Sequence, residues 1–175
     1  MNDHDVTIRA AGPADLERMS LVGTATFLET YAGTVAGDDI VAHCGRAHAA
    51  DTYRTLLAGP DACAWLAEVE PGRAPVGYLV MTRPDLPDAE DGDLEVRRIY
   101  VLHRFQGRRV GVRLLNEAIA AAHAAGARRL LLGVYSLNEN ALAFYTRCGF
   151  RRIGTREFSV GANHYHDYVL ARALD

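Results

Sequence analysis

Apolar residues recur with two different periods along this chain, and the switches between them mark its elements. Val6-Thr7-Ile8-Arg9 alternates and predicts a short strand. Gly12-Pro13-Ala14-Asp15 ends it and opens a helix, with Pro13 near the first helical position. Leu16, Met19, Leu21, Val22, Phe27 and Leu28 give that helix its apolar face up to about Tyr31. Gly33 and Gly37 interrupt. A second helix is predicted from about Asp38 to Leu57, capped by Asp38 or Asp39 and stopped at Gly59-Pro60. The period then shortens. Ala62 to Val69 and Val76 to Thr82 read as strands around a Pro71-Gly72 turn, and Pro84 to Asp93 as an exposed loop.

The next strand, Leu94 to Val101, contains a phase slip. Leu94 and Val96 stand at even positions, Ile99 and Val101 at odd ones, so a regular strand would send the two pairs to opposite faces. Either a bulge near Arg97-Arg98 restores one apolar face, or the strand is buried on both. A Gly-containing turn follows, and Val112, Leu115, Ile119 and Ala122 carry a helix to about Ala125, with Gly126 suited to its C-terminal cap. Arg129 to Tyr135 reads as a buried strand. Asn138 to Cys148 reads as a short helix capped by Asn138, with Ala141, Phe144, Tyr145 and Cys148 on one face. Phe150 to Val160 and His164 to Leu170 are strands about a Gly161-Ala162-Asn163 hairpin turn. The expected order is β-α-α-β-β-β-α-β-α-β-β: a mixed sheet with helices on its faces.

The stretch Leu94 to Leu115 is where this pattern suggests chemistry. It passes from a strand through a basic glycine turn into a helix. The first amides of a helix lack partners, and the helix dipole favours an anion there. Arg104, Arg108, Arg109 and Arg113 lie in or beside the turn. A bulged strand next to it would leave further backbone groups available.

Composition narrows the class without changing this picture. The 175 residues suit one domain spanning 1–175. A net charge of −3 calls for neither nucleic acid nor a bulk anionic surface. Cys44, Cys63 and Cys148 show no zinc or disulfide spacing, and they fit reduced thiols in a cytoplasmic protein. The first residues resemble no signal peptide, and no apolar run is of membrane-spanning length. His164 and His166 share a strand face but have no third ligand in the pattern, so no metal is expected. Gly107 to Gly111 is not the GxGxxG of dinucleotide sites, and the P-loop pattern is absent.

Two motifs, taken with the element order, resemble the GCN5-related N-acetyltransferase (GNAT) superfamily. The first is Gln106-Gly107-Arg108-Arg109-Val110-Gly111, the second and more specific Asn138 to Phe150. The resemblance implies an α/β (α+β) fold with a mostly antiparallel sheet and helices on both faces. It implies acetyl-CoA as co-substrate and no metal. Ile99, Tyr100 and Val101 would line the pantetheine arm, Gln106 to Val112 would hold the pyrophosphate, Asn138 would contact the arm, and Tyr145 would protonate the departing thiolate. Arg109 departs from the pattern, standing where the family usually has glycine, a residue free to adopt positive φ. Softer motifs (TFLETY, RIYVL, and the REFSVG and HDYVL of the last hairpin) resemble bacterial spermine/spermidine N-acetyltransferases, which implies a small amine acceptor, polyamines included. Look-alikes are commonly homodimers. A protein N-terminal acetyltransferase and a non-catalytic acyl-CoA-binding module are the alternatives.

Read from the residues themselves, Tyr145 is a plausible acid because a phenol keeps its proton at neutral pH. Amine transfer also needs a base or a water relay. Glu95, out of phase with Leu94 and Val96, is the candidate base. Glu29 and Tyr31, at the end of the first helix, are candidates for the amine pocket.

Overall fold

The computed structural model describes residues 6–160 and 163–174. A seven-stranded sheet runs through it in the order β1-β2-β3-β4-β5-β7-β6. The strands are β1 (Val6–Ala11), β2 (Cys63–Val69), β3 (Ala74–Thr82), β4 (Asp93–Val101), β5 (Arg129–Tyr135), β6 (Arg151–Val160) and β7 (Asn163–Ala173). Neighbours are antiparallel except β4 and β5, which run parallel. The helices are α1 (Leu16–Tyr31), α2 (Gly37–Ala47), α3 (Ala50–Leu57), α4 (Val110–Ala124) and α5 (Glu139–Arg147). The expected hairpin residues Gly161 and Ala162 lie outside the described residues.

Alternation along the strands divides the core between the two faces. Trp65, Leu79, Met81, Leu94, Val96, Leu130 and Leu132 meet Val110, Leu114, Leu115, Ala118 and Ala122 of α4, and Tyr145 of α5, on one face. Leu66, Tyr78 and Val80 meet Leu16, Met19 and Val22 of α1 and Tyr53 of α3 on the other. The α4 stripe is rotated from the expected one: Leu114 is fully buried, while Val112 is 36% exposed. The expected loop before β4 has one inward anchor, Leu86, against Leu131, Val169 and Ala171.

The predicted bulge is present. Val80 pairs with Arg98 and Met81 with Val96, which leaves Arg97 as the extra residue. Ile99 and Val101 thereby return to the α4 face with Leu94 and Val96. The predicted second helix, in contrast, is two helices. Ala49 is extended (φ −63°, ψ 146°) and separates α2 from α3. The bend lets His48, 3% exposed, turn inward so that its Nδ1 meets the Tyr53 hydroxyl at 2.8 Å. No glycine or proline marks that bend, so the pattern could not announce it.

Candidate functional site

The site begins where β4 and β5 part. Their parallel ladder holds only Asp93 to Arg129, Leu94 to Leu130 and Glu95 to Leu131. Beyond Glu95, β4 continues to pair with β3 as far as Val101, while β5 pairs with β7 as far as Tyr135. The two strands thus form a fork, and the inner edge of β4 beyond the bulge has no strand beside it. Such an edge can pair with an extended amide-containing ligand as an added strand. Ile99 and Val101 line the edge on the α4 face, and Tyr100 faces the other way, against Tyr78.

The β4 tine leads through one short 3-10 turn, His103–Phe105, into the glycine turn. The Gln106 Nε2 donates to the Val101 carbonyl at 3.0 Å and braces the turn from inside. Gly107 has φ +77°, and Arg109, the N-cap of α4, is left-handed at φ 59°, ψ 11°. Arg109 therefore holds the conformation that glycine would otherwise supply. The first amide after it to bond along the helix is that of Arg113, to the Arg109 carbonyl at 3.0 Å. The amides of the cap and first turn are thus left for a ligand, and left-handed residues in such a turn favour a concavity of converging N–H groups. Backbone of this form fits a pyrophosphate. Among the arginines, Arg108 lies over the Phe105 ring at 5.8 Å and Arg113 donates to the Val6 carbonyl at 2.7 Å, while Arg104 and Arg109 are exposed.

Glu29, expected at the amine pocket, has a structural contact as well. Its Oε2 accepts the His103 N–H at 2.8 Å, so it ties the end of α1 to the entry of the turn. Asn138 caps α5, its side-chain oxygen accepting the Ala141 N–H at 3.1 Å. Tyr145, 8% exposed, packs edge-on to Phe144 and Phe150 with ring centroids 5.1 and 5.9 Å away. Burial, and secondarily the neighbouring Tyr100 phenol, push its hydroxyl well above the usual phenol range. It stays protonated at any working pH, as a proton donor must.

The opposite face of the fork collects polar groups. Tyr31 belongs here: the adjacent Tyr100 phenol and then burial push its hydroxyl up, and Asp167 adds to the effect. Asp167 of β7 is 5% exposed and accepts from the Arg156 Nε at 3.2 Å. Burial raises its carboxyl above the ordinary range, against the pull of Arg156. The Arg156 guanidinium reaches past β7 to lie on Gly133 of β5, where an added methyl would sit 2.6 Å from Nη2. Glu95 points to this face too, but it is 2% exposed, and its Oε2 accepts the Asp85 N–H at 2.8 Å and Arg97 at 3.4 Å. It fastens the preceding loop and the bulge. The pattern did not single out Asp167, Arg156, Arg98 or Gly133. The one available signal was an acid set in an otherwise apolar run, Asp167 before Tyr168-Val169-Leu170.

The comparisons with known proteins agree with this geometry. Residues 40–150 match the model of the acetyltransferase (GNAT) family. An uncharacterized N-acetyltransferase of Mycobacterium tuberculosis is 32% identical over 160 residues, 91% of this chain and 98% of that one. An uncharacterized N-acetyltransferase of Lactobacillus delbrueckii subsp. lactis is 28% identical over 174 residues, 97% of this chain and 98% of that one. In fold, the chain is similar to the PaiA N-acetyltransferase from Thermoplasma acidophilum, solved in complex with coenzyme A (TM-score 0.78, 18% identity, covering 97% of this chain and 99% of that one).

Proposed function

The chain belongs to the acetyltransferase (GNAT) family and is an acetyl-CoA-dependent acetyltransferase, and on that premise we propose that it acetylates the primary amine of a small molecule by direct transfer in the fork between β4 and β5. The observation that carries this reading is the closeness of the fork to the turn: the unpaired edge of β4 leads, through the single 3-10 turn His103–Phe105, to the free amides at the start of α4.

Pantetheine pairs with the backbone of Ile99, Tyr100 and Val101. The pyrophosphate rests on the turn from Gln106 to Val112, and Asn138 borders the arm. The amine enters from the face of Tyr31, Tyr100 and Asp167 and attacks the thioester carbon. Tyr145 returns a proton to the thiolate. The buried carboxylate of Asp167 takes a proton from the bound ammonium, directly or through water, and the neutral amine then attacks, since a carboxyl raised by burial is the stronger base. Glu95, the base expected from strand phase, has Oε2 engaged by Asp85 and Arg97, as Asp167 has Oδ2 engaged by Arg156, and is the second candidate for this role. The resemblance to spermine/spermidine enzymes rests on soft motifs alone. Glu29, which would have drawn a polycation, is engaged with His103.

Mass spectrometry of products from isotopically labelled acetyl-CoA and a mixture of small amines and short peptides tests the reading. Labelled amides of small amines are expected. Labelled peptide N-termini with no small-molecule product would move the assignment to protein substrates.

A further inference from the structure

Arg98 is set apart from the other arginines of the sheet by a buried nitrogen without a partner. Arg97 pairs with Asp85, Arg129 with Asp93, Arg156 with Asp167, and Arg9, Arg18 and Arg73 all reach Glu68. Arg98 has no carboxylate partner among the described residues. Its Nη1 is buried without a hydrogen-bond partner, and so is Nδ1 of His43; among the described residues these are the two such side-chain atoms. A buried donor left unpaired carries the full cost of its desolvation, and a charged one more.

The two orphans belong to one wall. Arg98 follows the bulge, just past the point where β4 leaves β5, and pairs with Val80 on the α1 face. Its guanidinium carbon lies 4.9 Å from the centre of the Tyr53 ring. Tyr53 leads to His48 and His48 to His43, with ring centroids 6.2 and 5.8 Å apart. His43 stacks on Phe27 at 4.3 Å and reaches Phe158 of β6 at 6.2 Å, so this wall runs from one side of the fork to the other. His43 is held neutral by burial first, with Arg46 and Arg98 adding to the effect. A neutral imidazole can still donate one N–H. The charged groups facing Tyr100 on this side are therefore Arg98 at one end and Asp167, with Arg156, at the other.

We propose that the acceptor carries a carboxylate beside its amine, as an α-amino acid does, with Arg98 and His43 receiving the carboxylate while the amine turns toward Tyr31, Tyr100 and Asp167. A guanidinium with an unpartnered N–H donor, Nη1, matches a carboxylate oxygen. The separation of a cation from an anion by Tyr100 matches a dipolar substrate and disfavours a polycation. This inference rests on the small-amine reading above and narrows it.

The test compares amino acids with their decarboxylated amines, phenylalanine with phenethylamine and tyrosine with tyramine, and adds spermidine, with thiol release as readout. The amino acid of each pair is expected to have a kcat/KM at least about tenfold higher, the scale of a hydrogen bond to a charged group. Arg98→Gln is expected to collapse that ratio toward one, mainly through KM of the amino acid, and Arg98→Lys to restore part of it. Calorimetric CoA binding shows that each variant is folded. Phenylpropionate, a carboxylate without an amine, is expected to compete with the amino acid and not with acetyl-CoA. Preference for phenethylamine, tyramine or spermidine in the wild type would overturn this inference and leave the small-amine reading intact. So would an unchanged ratio in a CoA-binding Arg98→Gln, which would mark the orphaned nitrogens as the seat of a buried water. No turnover of any small amine by a CoA-binding protein would remove both readings.

Discussion

Arg109 adopts φ 59° without glycine's freedom, and this residue sets the shape of the phosphate turn. An L-residue in the left-handed region costs about 1–2 kcal/mol. Glycine there relieves that strain but gives back about 0.5–1 kcal/mol through the freer unfolded chain. Arg109→Gly is therefore expected to raise urea stability by up to about 1 kcal/mol. CoA affinity should fall by no more than about tenfold, because the amides stay in place and one exposed charge is lost. A drop in stability would show that the guanidinium supports the turn. Tyr145 makes the second residue-scale prediction. Tyr145→Phe keeps the ring packing against Phe144 and Phe150 and removes only the hydroxyl. A fall in kcat of about 100-fold or more is expected, the usual range for a lost general acid, with KM for acetyl-CoA little changed.

At the scale of elements, glycine in α1 has a different task. A methyl on Gly23 would collide with the Tyr53 hydroxyl and with Nδ1 of His48. Both groups belong to a buried chain, since Tyr53 also donates to the Tyr78 hydroxyl at 3.1 Å. In an exposed helix Gly→Ala stabilises by about 1 kcal/mol. Here Gly23→Ala is expected to destabilise by about 1–3 kcal/mol in chemical denaturation, the usual range for overpacking. The same region shows what pattern could and could not reveal. The bulge at Arg97 was legible, because a change in strand phase is written in consecutive residues. The cap at Asn138 was legible for the same reason. The break at Ala49 was not, because it answers to Tyr53 and to packing against α1, and neither contact has a local signature. The contact of Glu29 with the turn was hidden for a related reason. Its partner, the His103 amide, lies 74 residues away.

For the whole molecule, acid stability follows from which groups bind protons only on unfolding. Burial, helped by Arg98 and His43, holds His48 at about 3, against about 6.5 in an unfolded chain. The unfolded state binds the proton first, so this contribution is complete above about pH 6.5 and is lost as the pH falls toward 3. His43 acts in the same sense. Asp15 is held at about 2 chiefly by its hydrogen bond from Arg9, and the same arginine lowers Glu68. Their contributions are complete above the ordinary carboxyl range and are lost as the pH falls through the depressed values. Asp167, raised by burial, has the opposite sign. The urea midpoint is therefore expected to fall between pH 7 and 5 and to fall further below about pH 4. His48→Asn, whose amide can still donate to the Tyr53 hydroxyl, should flatten the upper window and leave the lower one. An unchanged slope between pH 7 and 5 would contradict this assignment.

The backbone of the proposed coenzyme side was readable because β4, the turn and α4 are contiguous in sequence. The proposed acceptor side was not, because it draws scattered side chains from α1, α2, β4, β6 and β7. Its acid, Asp167, gains its character only from burial on the assembled sheet. The most direct measurement on the central claim is steady-state thiol release from acetyl-CoA, with and without a small primary amine, by the wild-type protein and by Tyr145→Phe. The account predicts release that depends on the amine and is lost in the variant, with CoA bound by both. Amine-independent release, or equal rates in the two proteins, would contradict it.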